Sequence, residues 1–266
     1  MNNYILENSD ESKRLNYQSR QRNYDPSFEL TNEDLALNNG GVAIDAGCGN
    51  GILAKMIAET NIEKEISILA IDSSIERINE ARGEIPLNSI DFRVGDLKKL
   101  DVKDESADLI VCRFVYEHLS SDCQTVTNEF YRVLKPNGRL IIIDADGVLY
   151  NLQTENIKLK KYLRRIETAE LSFDGFVCPK IPRYLLETGF IREKIKIKSS
   201  VMNFYDLKDL SYEIELWEMR LRQIRSILEE VIGKENYENF SRLYLEELSN
   251  PKNYLYYTKH IFTVYK

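Results

Sequence analysis

Apolar positions between residues 42 and 146 follow two alternating spacings. Short apolar runs predict strands at 42–46, 66–71, 90–94, 107–112 and 139–144. Between them, apolar residues recur at helical spacing and predict helices at 50–59, 74–82 and 123–134. Strands that alternate with helices predict an α/β fold with a parallel sheet and right-handed crossovers.

The pattern changes after Asp146. We predict a basic helix over 153–171, a short helix over 181–188 and a strand over 190–200. Residues 207–248 are helical throughout by their spacing, and 255–265 alternate as a last strand. The long helical stretch between two late strands predicts an insertion that packs over the sheet.

A polar helix is predicted before the first strand, over residues 8–24, with Asn8 and Glu11 as a capping box. Pro26 ends it, because the residue before a proline is pushed out of the helical region.

Charge narrows the class of partner. The 266 residues include 43 acidic and 36 basic side chains, for a net charge of −7. This balance argues against a general nucleic-acid binder, which needs a basic field to attract phosphates. The basic run at 158–165 is either a solvated helix face or a surface that recognises an acidic substrate.

The sequence also indicates the cellular setting. Its apolar runs are far shorter than the ~20 residues that cross a bilayer, and the N-terminus does not resemble a signal peptide. The four cysteines have no CxxC spacing, which disfavours a disulfide framework or a zinc site. We expect a reduced, cytoplasmic protein without a membrane partner.

The first strand ends in Asp45-Ala46-Gly47-Cys48-Gly49-Asn50-Gly51. Glycines let a backbone turn tightly and approach a ligand closely before a helix begins. Ligands of open α/β sheets bind beyond the carboxyl ends of the strands. Taken alone, this loop could equally be a tight turn.

Two further strand ends carry acidic residues. The second strand ends in Asp72-Ser73, 21 residues after Gly51, where a carboxylate can accept hydrogen bonds from a ribose. The third ends in Gly95-Asp96-Leu97. The spacing differs from the dinucleotide fingerprint GxGxxG, because position 52 is isoleucine. It fits a different nucleoside ligand.

With these features, the sequence resembles the class I S-adenosylmethionine-dependent methyltransferases, closely over 42–145 and in outline elsewhere. Besides the three strand ends, the matching segments are VAIDAGCGNG at 42–51, ADLI at 107–110, EHL at 117–119 and RVLKPNGRL at 132–140. The last two resemble the branch that methylates small molecules, as in ubiquinone and natural-product methyltransferases.

The resemblance implies binding of S-adenosylmethionine, with S-adenosylhomocysteine as product and no metal. Asp45 would lie near the methionyl ammonium. Backbone groups of Gly47, Cys48, Gly49 and Gly51 would line the methionyl part, with Cys48 as a small space-filler.

The resemblance assigns the other two strand ends to the nucleoside. Asp72 would bind both ribose hydroxyls, and Asp96 would accept a hydrogen bond from the adenine amine. Ser73 and Leu97 would flank the base, beside the bend at Gly95.

Residues after the fourth strand would border the sulfonium and the acceptor. Arg113 and Phe114 would do so by resemblance, although a salt bridge is an equal alternative for Arg113. His118 is the candidate general base, with a structural role at a helix start as its alternative. Tyr116 and Tyr150 are candidate substrate contacts.

The N-terminal helix offers Tyr17 and Gln18 as contacts to the methionyl end, if it covers the cofactor. A solvated polar helix is the competing interpretation. Aromatic residues concentrate at 204–217 and 254–262, and some of them could line an acceptor pocket under the insertion.

We therefore expect a Rossmann-like doubly wound sheet, mostly parallel with an antiparallel last strand. Its predicted parts are an N-terminal helical lid (1–40), a cofactor-binding core (41–201 and 252–266) and a helical insertion over the substrate pocket (202–251). The expected activity is methyl transfer to a small-molecule acceptor by a monomer or homodimer. The alternatives are a protein or RNA methyltransferase, or a cofactor-binding partner protein without catalysis.

Overall fold

The computed structural model describes residues 11–19, 24–205 and 210–266. Within these ranges the strands are β1 Val42–Ala46, β2 Ser67–Asp72, β3 Ile90–Val94, β4 Ala107–Arg113, β5 Leu134–Asp146, β6 Leu152–Gln153, β7 Ile195–Asn203 and β8 Tyr254–Tyr265. The α-helices are α1 Glu11–Ser19, α2 Asn32–Leu35, α3 Ile52–Thr60, α4 Ile75–Glu84, α5 Tyr116–Leu119, α6 Cys123–Val133, α7 Ile157–Glu167, α8 Ile181–Thr188, α9 Leu210–Gln223, α10 Arg225–Ile232 and α11 Lys234–Leu248.

The strands form one mixed sheet in the order β3-β2-β1-β4-β5-β8. β7 pairs with the other edge of β8, and the two-residue β6 extends the pairing of β8. β1 to β5 are parallel to one another, whereas β8 is antiparallel to both β5 and β7. The predicted fold class, a mostly parallel sheet with an antiparallel last strand, is confirmed.

Helices cover both faces of the sheet because alternate strand residues are apolar on each side. Ile44, Ile110 and Ile142 pack on one face with Phe130 of α6 and with residues of α8. The other face packs against α3 and α4. A third apolar cluster joins α7 and α9 to α11 with the beginning of β8.

The structure corrects three predicted boundaries. The helical stretch predicted over 207–248 is divided into α9, α10 and α11, with breaks at Ile224 and at Gly233, which has a φ of +93°. β5 begins earlier than predicted, because a bulge around Asn137 still allows Leu134 to pair with Ala107. β7 begins later, because Arg192–Lys194 form a 3₁₀ turn.

The predicted N-terminal helix lies only partly within the described residues. Asn8 of the predicted capping box lies outside the described residues, and the described part of the first helix is Glu11–Ser19.

Among the helices described, none combines the length and the apolar character that crossing a bilayer requires.

Candidate active site

The carboxyl ends of β1 to β5 meet at one edge of the sheet. β1 lies between β2 and β4: the chain runs from β1 to β2 and β3 on one side and then crosses to β4 and β5 on the other. Such a switch point opens a crevice for a ligand. The glycine loop that follows β1 lies at this point.

The glycine loop folds back over the end of β2. Gly47, Gly49 and Gly51 have φ values of +78°, +52° and +77°, in the left-handed region that favours glycine. The amides of Gly47 and Cys48 both donate to the carbonyl of Ile71, at 2.8 and 2.9 Å. These bonds fix the loop relative to the second strand.

Two of these glycines also have no room for a side chain. A Cβ atom at Gly47 would lie 2.3 Å from Cγ2 of Val115, which precedes α5. One at Gly51 would lie 2.7 Å from the ring of Phe92 in β3. The loop is therefore packed between elements that follow β1 on both sides.

Asp45 lies beneath the loop and is 1% exposed. Its Oδ2 atom has no hydrogen-bond partner in the described part of the chain. The pKa of Asp45 is raised to about 7. Burial is the main cause, the hydrogen bond from the Ala54 amide opposes the shift, and the negative charge of Asp72 adds to it. A cation beside this carboxyl would restore its charge at neutral pH.

Asp72 ties the glycine loop to the turn that follows β2. Its Oδ2 accepts from the Gly49 amide at 2.8 Å, and its Oδ1 accepts from the Ser74 amide at 2.9 Å. Ser73, between them, is exposed. A carboxylate can accept about four hydrogen bonds, two at each oxygen.

The end of β3 lies beside Asp72. The Gly95 amide donates to the Asp72 carbonyl at 2.9 Å, so the predicted nucleoside residues of β2 and β3 are adjacent. The Asp96 side chain is 62% exposed and lies 3.8 Å from the Lys98 ammonium, whereas Leu97 is buried.

Cys48 is buried in the apolar layer against α3. Burial raises the pKa of its thiol, and the negative charges of Asp45 and Asp72 raise it further. A thiol held protonated is a poor nucleophile, which agrees with the space-filling role expected from the sequence.

Arg113 forms a buried ion pair instead of facing an open cleft. Its Nε lies 2.5 Å from Oε2 of Glu29, and its Nη2 donates to the carbonyl of Tyr24 at 2.5 Å. The ammonium of Lys259 binds Oε1 of the same glutamate. The guanidinium thus joins β4, β8 and the segment before α2, which corresponds to the salt-bridge alternative.

Phe114 follows Arg113 with a φ of +55°, which is uncommon outside glycine. Its ring lies edge-on to Tyr24, with 6.2 Å between centroids, and Tyr24 stacks on Tyr257 of β8 at 6.1 Å. The strained turn therefore directs this ring towards the third apolar cluster, which includes residues of α9 and the beginning of β8.

The first helix lies over the glycine loop through Leu15, whose Cδ1 would be 3.8 Å from a Cβ atom at Gly49. Tyr17 is stacked on Tyr212, with centroids 3.8 Å apart, and donates to Glu215. Gln18 accepts from Arg220 at 3.3 Å. The predicted contacts Tyr17 and Gln18 therefore face α9 in this structure.

The prediction of Tyr116 as a substrate contact is corrected. Its side chain is 0% exposed within the core, and its hydroxyl lies 2.9 Å from Oγ1 of Thr127 in α6. Tyr116 points inward because it begins α5, the helix that packs directly on β5. Tyr150 is partly exposed and stacks on Phe176, with 5.2 Å between centroids.

His118 lies in α5, beyond β4, and is 25% exposed. Its Nε2 is 3.4 Å from Oε1 of Glu117. The Glu117 amide donates to the buried Asp144 at 3.3 Å, and burial together with the Glu117 charge raises the pKa of Asp144. The histidine is thus beside a carboxylate and retains access to solvent.

Sequence reasoning missed the polar groups of α9. Glu213 and Trp217 are each 1% exposed, and Arg220 follows one turn later on the same face. The signal was the spacing of four and three residues, which places charged and indole groups on a face that is otherwise apolar.

A group of three side chains of the kinds that can bind a metal ion lies near the end of β5. Ligand atoms of Asp146, Cys178 and His260 lie within 4.8 Å of one another, and Nδ1 of His260 is 2.8 Å from the Ser199 hydroxyl. The expectation that the protein uses no metal stays a prediction.

Comparison with known proteins agrees with this geometry. The profile of a methyltransferase domain matches residues 44–142. An uncharacterized methyltransferase of Schizosaccharomyces pombe is 29% identical over 199 residues, which are 73% of this chain and 72% of the relative.

Two solved structures share the fold. A cyclopropane synthase of Mycobacterium tuberculosis has a TM-score of 0.59 at 16% identity, covering 98% of this chain and 95% of its own. A geranyl diphosphate methyltransferase in complex with S-adenosylmethionine has a TM-score of 0.54 at 13% identity, covering 98% and 93%. The matched domain, the motifs, the fold and these relatives together support a class I S-adenosylmethionine-dependent methyltransferase.

Proposed function

We propose that this methyltransferase acts on a small-molecule acceptor bound between the glycine loop and helices α9 to α11. The cofactor supplies an electrophilic methyl group on a positively charged sulfur. The protein would contribute mainly orientation, which can lower such a barrier by about 7–11 kcal/mol.

The residues of the first three strand ends fit this cofactor. Asp45 has a buried oxygen without a partner in the described chain, as expected of a carboxylate that binds a cationic group. In the proposal, Gly47, Cys48, Gly49 and Gly51 line the methionyl part.

The nucleoside contacts are part of the same proposal. Asp72, at the end of β2, binds the ribose hydroxyls, and Asp96 accepts from the adenine amine. Ser73 and Leu97 flank the base, at the bend that Gly95 allows.

The observation that carries the small-molecule assignment is an aromatic cluster from separate segments of the chain. It consists of Tyr24, Phe114, Trp217, Tyr244 and Tyr257, and all except Phe114 are at most 4% exposed. An enclosed aromatic surface beside the end of β4 suits a compact ligand, whereas a folded protein or an RNA needs an open groove.

The parts of the chain then take distinct roles. Residues 1–40 act as a lid, 41–201 and 252–266 as the cofactor-binding core, and 202–251 as the acceptor-binding insertion. The contact of Leu15 with the glycine loop and the stacking of Tyr17 on Tyr212 support this division.

His118 is proposed as the general base for acceptors that lose a proton. It is partly exposed and lies beside Glu117, which can stabilise the imidazolium that forms when the proton is taken. Tyr150, whose pKa is raised by burial, is kept as a substrate contact through its neutral hydroxyl.

The test uses S-adenosylmethionine with a radiolabelled methyl group and a cell extract divided by ultrafiltration. We expect label in the small-molecule filtrate, and none with Asp45→Asn. Label confined to retained material that is sensitive to protease or RNase would contradict the small-molecule assignment. Cofactor binding without any labelled product would instead support a non-catalytic partner protein.

A further inference from the structure

Helix α9 directs three polar side chains into the aromatic cluster. Glu213, Trp217 and Arg220 lie on one helix face, and the first two are each 1% exposed. Both carboxyl oxygens of Glu213, the indole Nε1 of Trp217 and Nη1 of Arg220 are buried without a hydrogen-bond partner within residues 11–19, 24–205 and 210–266.

Two facing residues contribute hydroxyls to the same cluster. The buried hydroxyls of Tyr24 and Tyr257 interact with each other, and that of Tyr24 also interacts with Arg220, so these two groups leave the carboxyl of Glu213 and the indole of Trp217 unsatisfied. Buried polar groups in native proteins are nearly always hydrogen-bonded, so a concentration of unpartnered ones requires an explanation. A bound ligand that carries the complementary groups provides it.

The two charged groups remain separate. Glu213 and Arg220 are seven residues apart on one helix, which is a rise of about 10.5 Å, and Trp217 lies between them. The Arg220 guanidinium lies 4.8 Å from the Tyr24 ring centroid and 5.2 Å from that of Trp217. Among the described residues, neither charge has a counterion at contact distance.

This arrangement selects a ligand by its charges. An isolated cation would neutralise Glu213 and leave Arg220 unpaired, and an anion would do the reverse. Because an unpaired buried charge is strongly unfavourable, a molecule with both charges fits better than either. Burial raises the pKa of Glu213, and the positive charge of Arg220 opposes that shift.

We propose that the methyl acceptor is a zwitterion, with a cationic nitrogen bound by Glu213 and an anionic carboxylate or phosphate bound by Arg220. The Trp217 Nε1 donates to the same anionic group, and the aromatic rings enclose the carbon skeleton. This assignment rests on the proposed small-molecule activity.

The first test needs no knowledge of the acceptor. Glu213→Met removes a buried carboxyl that has no hydrogen-bond partner among the described residues, so the melting temperature of the ligand-free protein should rise by about 3 °C. Glu218 is on the same helix and its side chain is 56% exposed, so Glu218→Met is the matched control and should change the melting temperature little. A lower melting temperature for Glu213→Met would overturn the proposal, because the carboxyl would then have a structural partner.

The second test uses radiolabelled methyl transfer to three panels of metabolites: zwitterions with an amine and a carboxylate or phosphate, anions without an amine, and neutral compounds. We expect acceptors in the first panel, with their KM raised about 10- to 100-fold by Glu213→Gln. Acceptors only in the other panels, or in none while S-adenosylhomocysteine still binds, would overturn the zwitterion assignment. Failure to bind S-adenosylhomocysteine would instead refute the proposed function itself.

Discussion

Arg113 and Glu29 form a buried ion pair, with Nε 2.5 Å from Oε2, that joins the end of β4 to the segment before α2. Lys259 of β8 completes it on the other oxygen of the glutamate. The ion pair thus attaches the segment before α2 to the sheet at the edge where the glycine loop lies.

Removing the shared carboxylate would leave two buried cations. We expect Glu29→Gln to lower the free energy of unfolding by about 3 kcal/mol, measured by urea denaturation. The ion pair Arg242–Glu246 is the control, because both of its side chains are more than half exposed. Glu246→Gln should change the free energy of unfolding by at most about 0.5 kcal/mol. Equal effects of the two substitutions would contradict the role given to Glu29.

Gly47→Ala should abolish binding of S-adenosylhomocysteine. Its Cβ atom would lie 2.3 Å from Val115, in a residue whose φ of +78° already disfavours a side chain. Gly83→Ala in α4 is the matched control, because its Cβ atom would meet nothing within 4 Å. Calorimetry should show unchanged affinity for the control, and retained affinity in Gly47→Ala would refute the packing argument.

Affinity for the cofactor should depend on pH through Asp45. Its pKa is raised to about 7 in the folded protein, so the free protein loses stability as the pH rises from about 4 towards 7. Binding of a cation needs the ionised carboxylate and should strengthen about tenfold from pH 6 to pH 8. Calorimetry of Asp45→Asn over the same range gives the baseline, and equal slopes for both proteins would exclude Asp45 as the titrating group.

Tyr116→Phe tests the correction of a predicted substrate contact. The substitution removes the hydroxyl bonded to Thr127, whose own hydroxyl still donates to the Cys123 carbonyl. We expect a loss of about 1 kcal/mol in unfolding free energy and an unchanged KM for the acceptor. A raised KM at unchanged stability would return Tyr116 to the substrate pocket.

His118→Gln tests the proposed general base. If the acceptor loses a proton, kcat should fall about 10²- to 10⁴-fold. Affinity for S-adenosylhomocysteine should not change. Wild-type turnover in this variant would show that His118 has only a structural role.

The local sequence was sufficient for the cofactor side of the site. Period and composition predicted β1 to β4 nearly to the residue, and carboxyl ends of parallel strands necessarily meet at one edge. Asp45, Gly47, Asp72 and Gly95 are therefore adjacent whatever the rest of the chain does.

Periodicity was less informative where packing decides the structure. It predicted one helix over 207–248, although the chain ends α10 at Gly233 so that α11 can pack back on the same cluster. Periodicity also did not show whether the Tyr116 side chain points into the core or towards solvent, because a helix of a single turn has no repeat from which to tell.

The acceptor side was decided by tertiary structure alone. The sequence by itself determined the fold class, the glycine loop and the acidic strand ends, because each depends on neighbours along the chain. It did not bring Glu213 and Arg220 opposite Tyr24 and Tyr257, because that requires segments distant in sequence to pack together. The spacing along α9 places these charges on one helix face, but it does not show which distant residues they meet there, so the acceptor could not be predicted from it.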